Sequence, residues 1–290
     1  MFKQAIKQEA KLRLAVAGPS GSGKTYTSLA IATHLGGKIA VVDTEHGSAS
    51  KYADKFNFDV MELEPPFAPD RFVKAIYEAQ SAGYSTIILD SLSHAWNGTG
   101  GLLEIVDQIA ARSSSKNSFA AWKEGTPIYN KMIDGIIQSN IHVLATMRTK
   151  QDYILVEKES AAGRKYQAPE KVGMAPIQRD GFEYEFDIVL TLDNDNRAVV
   201  TKTRCDKLAG GVFVKPGKDV ADILTEWLTG APRVEMTDAL SDKAVQYAAK
   251  TWNIAPVEAK EQIQLAINEK TIAAQCEKDA FKKFVEGLKK

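Results

Sequence analysis

The chain has 290 residues, of which 44% are hydrophobic and 26% are charged, and its 37 basic residues balance its 37 acidic ones. This composition is typical of a globular protein with a sizeable core, and it excludes wholesale disorder. A net charge of zero argues against nucleic-acid binding through bulk charge, although it allows a local basic strip. The two cysteines, Cys205 and Cys276, form no metal-ligand or disulfide pattern, which fits a reducing compartment.

Targeting and membrane segments are not expected in this sequence. The first ten residues lack the apolar core of a signal peptide. No run of about 18 apolar residues, the length of a membrane-spanning helix, is present. We therefore predict a cytoplasmic protein with no membrane partner.

Strand-like and helix-like segments alternate through the first half of the chain. Short apolar runs predict buried strands at 12–17, 38–43, 85–90 and 141–146. Helical spacing of apolar residues predicts helices at 24–35, 71–82, 101–112 and 127–139. This alternation predicts βαβ units, and hence an α/β fold with a mostly parallel central sheet flanked by helices.

The pattern changes after residue 148. Shorter strands joined by turns are predicted at 153–158, 164–168, 187–193 and 198–204. Farther along, helices are predicted at 238–250, 256–269 and 271–289. We therefore divide the chain into a core, 1–230, and a small C-terminal helical region, 233–290, in which Trp252 and Phe284 would fill a small core. This region is either a packing unit or a docking module for a protein partner.

The strongest motif lies between the first predicted strand and the first predicted helix. It is the Walker A sequence Gly18, Pro19, Ser20, Gly21, Ser22, Gly23, Lys24 and Thr25. Glycines let successive backbone N–H groups turn toward a phosphate, and the helix adds the positive end of its dipole. We expect Lys24 to reach the β- and γ-phosphates of a nucleoside triphosphate and Thr25 to coordinate Mg²⁺.

Asp90 ends the third predicted strand, 85–90. Ligands of open α/β sheets bind at the carboxyl ends of the strands, where this carboxylate would meet the phosphate loop. We predict that Asp90 is the Walker B acid and that it holds Mg²⁺ together with Thr25, directly or through water. The alternative is an aspartate that only forms a turn.

Two short runs, Asp43–Glu45 and Asp90–Leu92, indicate a branch of the P-loop proteins. Their sequences, Asp-Thr-Glu and Asp-Ser-Leu, resemble the corresponding motifs of the RecA-like recombinase ATPases. The resemblance covers about residues 10–230. It implies a RecA-like P-loop core in which Glu45 orients a water molecule and accepts its proton.

The same resemblance implies further site residues. Thr146, at the end of the fourth predicted strand, matches the position of a γ-phosphate sensor, with Arg148 as the runner-up. Tyr52 has the spacing of a tyrosine that stacks on adenine, and a core aromatic is the alternative. Lys202 and Arg204 match cations that reach a neighbouring subunit's γ-phosphate and stabilise the charge there. The alternative for these two is an ordinary pair of surface cations.

DNA-binding loops follow the third and fourth strands in RecA-like proteins. By resemblance, the candidates here run from His94 to Gly101 and from Lys150 to Asp180. The stretch between Lys150 and Asp187, which includes the second candidate, contains cations that would bind phosphates and aromatic rings that would stack on bases. These residues are Arg164, Lys165, Lys171, Arg179, Tyr153, Tyr166 and Phe182. The alternative is a β-hairpin with a solvated charged face.

Together these motifs resemble the short RecA-type ATPases of bacteriophages, AAA-family proteins of which several assist recombination or single-strand annealing. The resemblance implies a Mg²⁺-dependent ATPase stimulated by single-stranded DNA, in the cytoplasm of a bacterial host. It also implies a homo-oligomer with ATP at its subunit interfaces. The alternative function is a nucleotide-switched scaffold that recruits a partner with little turnover. A small-molecule kinase is disfavoured because the segment after Arg148 is poor in arginine for a cationic lid.

Overall fold

The computed structural model describes residues 10–113, 117–159, 165–229, 236–269, 271–273 and 275–288. Contacts divide the chain into two units, 1–229 and 230–290. The first unit contains the Walker A segment and is built around one large β-sheet.

Strands and helices alternate in the first part of this unit, and antiparallel strands follow. The strands are β1 (Arg13–Gly18), β2 (Ile39–Asp43), β3 (Asp59–Glu62), β4 (Thr86–Asp90), β5 (His142–Glu159), β6 (Lys165–Pro176), β7 (Ile188–Leu192), β8 (Arg197–Thr203) and β9 (Val212–Val214). The helices are α1 (Lys24–Leu35), α2 (Pro69–Ser81), α3 (Ser93–Asn97), α4 (Leu102–Arg112), α5 (Ser118–Gln138) and α6 (Lys218–Thr229). Short 3-10 helices lie at Ala49–Tyr52, Phe182–Glu185 and Asp206–Leu208.

The strand order in the sheet is β3-β2-β4-β5-β1-β7-β8-β9, with β6 paired to β5 outside this row. Neighbouring strands from β3 to β7 are parallel, whereas β8, β9 and β6 join in antiparallel fashion. The phosphate-loop strand β1 and the Asp90 strand β4 are thus separated by β5. The carboxyl ends of β1, β2, β4 and β5 meet at one edge of the sheet, where ligands of open α/β sheets bind.

Alternate residues of the strands pack into two separate helical layers. In β1, Leu14 and Val16 join a core with α1 and α6, whereas Ala15 and Ala17 join a core with α2, α4 and α5. Because helices cover both faces, the central parallel strands are apolar on both sides. The predicted α/β class, with a mostly parallel sheet flanked by helices, is confirmed.

Helix α5 begins at Ser118, although the sequence predicted its start at Pro127. Proline is favoured in the first turn of a helix, and this preference misplaced the boundary. Asn117 caps the helix instead, since its side-chain oxygen accepts the N–H groups of Phe119 at 2.9 Å and Ala120 at 3.3 Å. Pro127 therefore lies inside the helix.

Strand β5 is longer than the sequence predicted. It continues past Arg148 and pairs with β6 in a ladder that runs from Thr149 opposite Pro176 to Glu159 opposite Lys165. The strands predicted at 153–158 and 164–168 are therefore parts of the two arms of one hairpin, and Arg164 lies outside the described residues. Among the described strands and α-helices of the first unit, β3, α3, β9 and α6 were not predicted at all.

The second unit is mainly helical. In it, β10 (Met236–Asp238) pairs antiparallel with β11 (Gln275–Glu277), and the helices are α7 (Asp242–Trp252), α8 (Pro256–Asn268) and α9 (Lys278–Gly287). The helix predicted over 271–289 is too long, because its first part contains β11, whose partner strand lies much earlier in the chain. Trp252 and Phe284 pack edge to face, with ring centroids 6.2 Å apart. No described helix of either unit has the length and apolarity that a bilayer crossing requires.

Candidate nucleotide-binding site

The phosphate loop, from Gly18 to Thr25, connects the buried end of β1 to the start of α1. Gly21 and Gly23 have φ angles of 78° and 87°, in the left-handed region that residues with side chains rarely adopt. A Cβ atom on Gly18 would lie 2.9 Å from the carbonyl oxygen of Leu192. Gly23 is the N-cap of α1 and has no side chain to bind the first amides of the helix. These amides are therefore available to a phosphate.

Lys24 lies inside the loop. Its Nζ donates a hydrogen bond to the Pro19 carbonyl at 2.7 Å. Burial lowers the pKa of the Lys24 ammonium. The carboxylates of Glu45 and Asp90 raise this pKa, and the Arg148 guanidinium lowers it. The ammonium thus lies near both carboxylates of the site.

Asp90 is buried at the end of β4 and receives hydrogen bonds from two hydroxyl groups. Thr25 Oγ1 donates to Asp90 Oδ2 at 2.6 Å, and Thr146 Oγ1 donates to Asp90 Oδ1 at 2.5 Å. Thr146 reaches this carboxylate because β5 lies between β1 and β4. Burial raises the pKa of the Asp90 carboxyl, whereas the bonds from the two threonines lower it. The nearby carboxylates of Glu45 and Asp43 raise it again.

Thr25 and Asp90 fit a magnesium ion. Hydroxyl and carboxylate oxygens are hard ligands of the kind that Mg²⁺ prefers, with water and phosphate oxygens completing its shell. Because burial raises the pKa of the Asp90 carboxyl, a divalent cation beside it would favour the charged form. Among the described residues, no group of three or more His, Cys, Asp or Glu side chains could hold a metal ion. The nucleotide and water would therefore supply the remaining ligands of the ion.

Asp43 and Glu45 follow β2 and have different surroundings. Asp43 is buried, and its carboxylate oxygens accept the N–H groups of Glu45 at 2.6 Å and Ala49 at 2.8 Å. Asp43 therefore fixes the turn that carries Glu45. Glu45 Oε1 accepts a hydrogen bond from Arg148 Nε at 2.9 Å, in an ion pair whose side chains are partly exposed. The sequence predicted Glu45 as the base but did not predict this cation beside it.

Thr44 connects the same turn to the segment after β4. Its Oγ1 accepts the Ser91 N–H at 2.8 Å and lies 2.7 Å from His94 Nδ1. The His94 ring is stacked on Phe67, with ring centroids 5.0 Å apart. Burial lowers the pKa of the His94 imidazole. Because His94 opens the first candidate DNA-binding segment, that segment is in direct contact with the turn that carries Glu45.

A cleft of about 520 Å³ opens beside the phosphate loop. Its lining includes Lys24, Thr25, Glu45, Asp90 and Arg148. Ser48 and Thr149 also line it, and their hydroxyl oxygens are buried with no hydrogen-bond partner among the described residues. Since buried polar atoms normally have a partner, these two hydroxyls are exceptions at the border of the cleft.

Tyr52 borders this cleft from the 3-10 helix Ala49–Tyr52. Its ring packs edge-on against Tyr26, with centroids 5.7 Å apart, and Tyr26 packs in the same way on Phe56 at 5.1 Å. Tyr52 also packs against the core formed with α1 and α6. The ring thus borders the cleft, where it could meet a base, and also belongs to an aromatic group of the core.

The Lys202 ammonium forms hydrogen bonds within its own chain. Its Nζ donates to the carbonyl oxygens of Glu183, Tyr184 and Phe186 at 2.9, 2.7 and 2.5 Å. These carbonyls lie at the end of the 3-10 helix Phe182–Glu185, which the ammonium caps. Reaching a neighbouring subunit, as the sequence predicted, would require all three bonds to break.

Arg204 follows β8, at the sheet edge opposite the phosphate loop. Its Nη1 lies 3.1 Å from Asp187 Oδ1, and its side chain is 58% exposed. With Arg13 and Asp187 it borders a cleft of about 810 Å³, larger than the one at the phosphate loop. This larger cleft contains neither the glycine loop nor Asp90, so size does not identify the nucleotide site. Any action of Arg204 on a γ-phosphate would concern another subunit's nucleotide.

The two candidate DNA-binding segments meet in an aromatic cluster. Trp96, on α3, stacks on Trp122 of α5 with ring centroids 5.8 Å apart. The Arg179 guanidinium carbon lies 5.4 Å from the Trp122 ring and 5.0 Å from the Tyr129 ring. The first segment contributes Trp96 and the second contributes Arg179, so α5 links them. Phe182, which the sequence placed among rings that stack on bases, is 2% exposed and belongs to the core.

Sequence reasoning did not predict three contacts of the site. It considered Arg148 only as an alternative sensor, whereas the structure pairs it with Glu45. No pattern singles out His94 as a neighbour of Thr44. Asn196 was also missed, although its Nδ2 donates to the Ser22 carbonyl of the phosphate loop at 3.0 Å.

Three features define a nucleotide-binding ATPase of the P-loop class. They are the glycine loop with its lysine, the buried aspartate at the end of β4, and the mostly parallel sheet. The chain belongs to the family described as AAA domain, whose model matches residues 10–228. It is also similar to a solved structure described as the RadB recombinase, at 18% identity over 70% of this chain and 86% of that chain, with a TM-score of 0.37. No curated protein matches the chain.

Proposed function

We propose that the protein is a Mg²⁺-dependent ATPase that single-stranded DNA stimulates. We further propose that it acts in recombination or single-strand annealing, as in the bacteriophage ATPases that its motifs resemble. The observation that most supports DNA control is the position of Arg148, between Glu45 and the two candidate DNA-binding segments.

The residues of the cleft have distinct roles in this proposal. The loop amides and Lys24 bind the phosphates, while Thr25 and Asp90 hold the metal. When bound, Mg²⁺ would neutralise charge on the phosphate oxygens. Glu45 orients a water molecule and accepts its proton. Thr146 holds the Asp90 carboxylate in place through the hydrogen bond between them.

The backbone of Arg148 is hydrogen-bonded to the residue just before the first candidate DNA-binding segment and to a residue within the second. Its N–H donates to Ser93 Oγ at 3.0 Å, and Ser93 is the first residue of α3. Its carbonyl accepts the Ile177 N–H at 2.7 Å, directly after the β5–β6 hairpin. DNA that shifts either segment would therefore shift the guanidinium that holds Glu45.

This arrangement gives DNA a way to control hydrolysis. While Arg148 is bonded to Glu45 Oε1, the guanidinium holds the carboxylate in one orientation and takes one of the acceptor sites that a water molecule could use. Movement of Arg148 would free the oxygen and leave the guanidinium able to stabilise charge on the γ-phosphate. Hydrolysis would then rise when DNA binds.

Arg204 supports a further part of the proposal, a homo-oligomer with ATP at the subunit interfaces. Its guanidinium is exposed at the edge of the sheet opposite the nucleotide cleft. An assembly that places this edge over the next subunit's cleft would bring Arg204 to another subunit's γ-phosphate. Hydrolysis per subunit would then rise with protein concentration.

ATP hydrolysis with and without single-stranded DNA, over a range of protein concentrations, tests the proposal. We expect DNA to raise turnover. Glu45→Gln should lower turnover by about a hundredfold or more, with ATP affinity unchanged, because the amide cannot accept the proton. Arg148→Ala should shrink the stimulation by DNA, since Glu45 is then free throughout and no guanidinium is left to stabilise charge on the γ-phosphate.

Lys74→Ala is the control, because Lys74 is an exposed cation on α2 that is not among the residues lining this cleft. It should keep the wild-type rates with and without DNA. Tight nucleotide binding with turnover that DNA does not change would contradict the proposal and favour a nucleotide-switched scaffold.

A further inference from the structure

The turn between β7 and β8 contacts the phosphate loop from outside the Walker A motif. Asn196 Nδ2 donates a hydrogen bond to the Ser22 carbonyl oxygen at 3.0 Å. The same nitrogen would lie 3.2 Å from a Cβ atom built on Gly23. Asn196 thus lies against both residues of one peptide unit, although 174 positions separate it from Ser22.

This contact fixes the direction of one amide of the loop. The Ser22–Gly23 peptide bond is not among the cis bonds of the chain. In a planar trans peptide, the carbonyl and the following N–H point in opposite directions. Because Asn196 binds the Ser22 carbonyl on the outer side, the Gly23 N–H points to the inner side of the loop. A donor already aimed at the phosphate position needs little reorganisation when the ligand binds.

Hydrogen bonds and an ion pair fix the backbone of the turn around Asn196. Its φ angle is 58°, in the left-handed region that asparagine tolerates better than most residues. Its N–H donates to the Asp193 carbonyl at 3.2 Å, and its carbonyl accepts the Lys215 N–H at 2.9 Å. Arg197 adds an ion pair with the Asp193 carboxylate at 2.8 Å. The side-chain amide is therefore presented to the loop by a fixed backbone.

We propose that Asn196 is a positioning residue for nucleotide binding, which holds the Ser22–Gly23 peptide so that the Gly23 N–H faces the phosphates of a nucleoside di- or triphosphate. Asparagine suits this position because it combines a short side-chain N–H donor with tolerance of positive φ. The proposal rests on the nucleotide-binding part of the proposed function and is independent of stimulation by DNA.

Two variants separate the side chain from the turn. Asn196→Gly removes the amide and keeps a residue that adopts positive φ without strain. Asn196→Asp keeps the shape of the side chain but places an acceptor carboxylate against the Ser22 carbonyl. Asn196→Ala is less informative, because alanine at positive φ would strain the turn.

Titration of each full-length variant with Mg²⁺ and a fluorescent ADP measures the effect. We expect Asn196→Gly to weaken ADP binding by about three- to tenfold, the loss of one hydrogen bond, and Asn196→Asp to weaken it further. The KM for ATP should rise by the same factor. The kcat at saturating ATP and the thermal midpoint without nucleotide should stay at the wild-type values.

Asn194→Gly is the control, at an exposed position of the same turn, and should keep wild-type affinity. Unchanged ADP affinity in both Asn196 variants would overturn the proposal. Matching losses of ADP affinity and of nucleotide-free thermal stability would also overturn it, because they would mark a purely structural role. A wild-type protein that failed to bind ADP would overturn the proposed function as well.

Discussion

Arg13 and Asp90 are buried charges at opposite edges of the same sheet, and their surroundings differ. Arg13 begins β1 and is 6% exposed, whereas Asp90 ends β4 and is 1% exposed. The Asp90 carboxylate receives two side-chain hydroxyls, from Thr25 and Thr146. The Arg13 guanidinium donates to four backbone carbonyls, those of Leu12, Ile141, Ile137 and Ser139.

The difference separates an edge where backbone carbonyls meet most of the hydrogen-bonding needs of the buried charge from an edge where we expect a ligand to meet them. Burial lowers the pKa of the Arg13 guanidinium, and the Asp187 carboxylate raises it. Four carbonyl oxygens replace much of the water that Arg13 loses on burial, although its Nε has no hydrogen-bond partner among the described residues. At Asp90, burial raises the pKa and the two hydroxyls offset this only in part. Changes at the Arg13 edge should therefore lower stability, and changes at the Asp90 edge should lower ligand affinity.

Arg13→Ala should have the largest effect. It removes a donor from four carbonyl groups, of which the Leu12 carbonyl still accepts the Val143 N–H at 2.9 Å, and each buried unsatisfied group costs about 1–3 kcal/mol. We expect the free energy of unfolding to fall by roughly 3–5 kcal/mol, because loss of one partner from a buried charged network is strongly destabilising. Urea unfolding of the nucleotide-free protein measures this loss. The ADP affinity of the protein that remains folded should not change.

Arg204→Ala is the control for that prediction, at the same edge of the sheet. The Arg204 side chain is largely exposed in its pair with Asp187. Exposed ion pairs contribute about 0–1 kcal/mol, so the free energy of unfolding should change little. Losses of similar size for the two variants would contradict the distinction between a buried network and a surface pair.

Lys24→Ala should have the second-largest effect, and on ligand affinity alone. A hydrogen bond between charged groups contributes about 1.5–3 kcal/mol, so ATP affinity should fall by roughly ten- to 150-fold. The free energy of unfolding without nucleotide should stay close to the wild-type value, since Lys24 Nζ meets only the Pro19 carbonyl in the loop. Calorimetric titration with ATP and urea unfolding test the two halves of this prediction.

Lys38→Ala provides the comparison, because Lys38 is an exposed lysine just before β2, at the opposite edge of the sheet. It should leave ATP affinity unchanged. Undiminished ATP affinity in Lys24→Ala would contradict the assignment of the glycine loop as the phosphate site.

Local patterns were sufficient to predict part of the site. Helix α1 has the predicted bounds, Lys24–Leu35, because its glycine-rich start and the Gly36 that follows it are both visible in the sequence. The acidic ends of β2 and β4 could be predicted for the same reason, since an apolar run stops at Asp43 and at Asp90. In each case the signal lies within a few residues of the feature.

Contacts between distant segments could not be predicted in this way. Arg148 and Glu45 are 103 positions apart, and they meet because of the order of the strands. Strand periodicity identifies β5 but does not place it between β1 and β4. Lys202 illustrates the same limit, because a cation on a strand carries no sign that three carbonyls of an earlier turn will bind it.

Thr146→Val should have the smallest effect. The same type of substitution at Thr86 allows the two edges of the sheet to be compared. Valine has nearly the shape of the buried threonine but lacks the hydroxyl that donates to Asp90 Oδ1. The carboxylate that we expect to hold Mg²⁺ then loses one of its two orienting bonds. The Mg²⁺ concentration for half-maximal ATP hydrolysis should rise by about tenfold, as expected for the loss of a hydrogen bond to a charged group.

Thr86→Val is the matched control at the amino end of the same strand as Asp90. Thr86 is fully buried, and its Oγ1 has no hydrogen-bond partner within the described part of the chain. Removing this hydroxyl should keep the wild-type Mg²⁺ requirement and should not lower stability, because an unsatisfied buried group is lost. Thr146→Ser, which keeps a donor, should also keep the wild-type requirement. If Thr146→Val needed no more Mg²⁺ than the wild-type protein, then Thr25 alone would be sufficient to orient the Asp90 carboxylate.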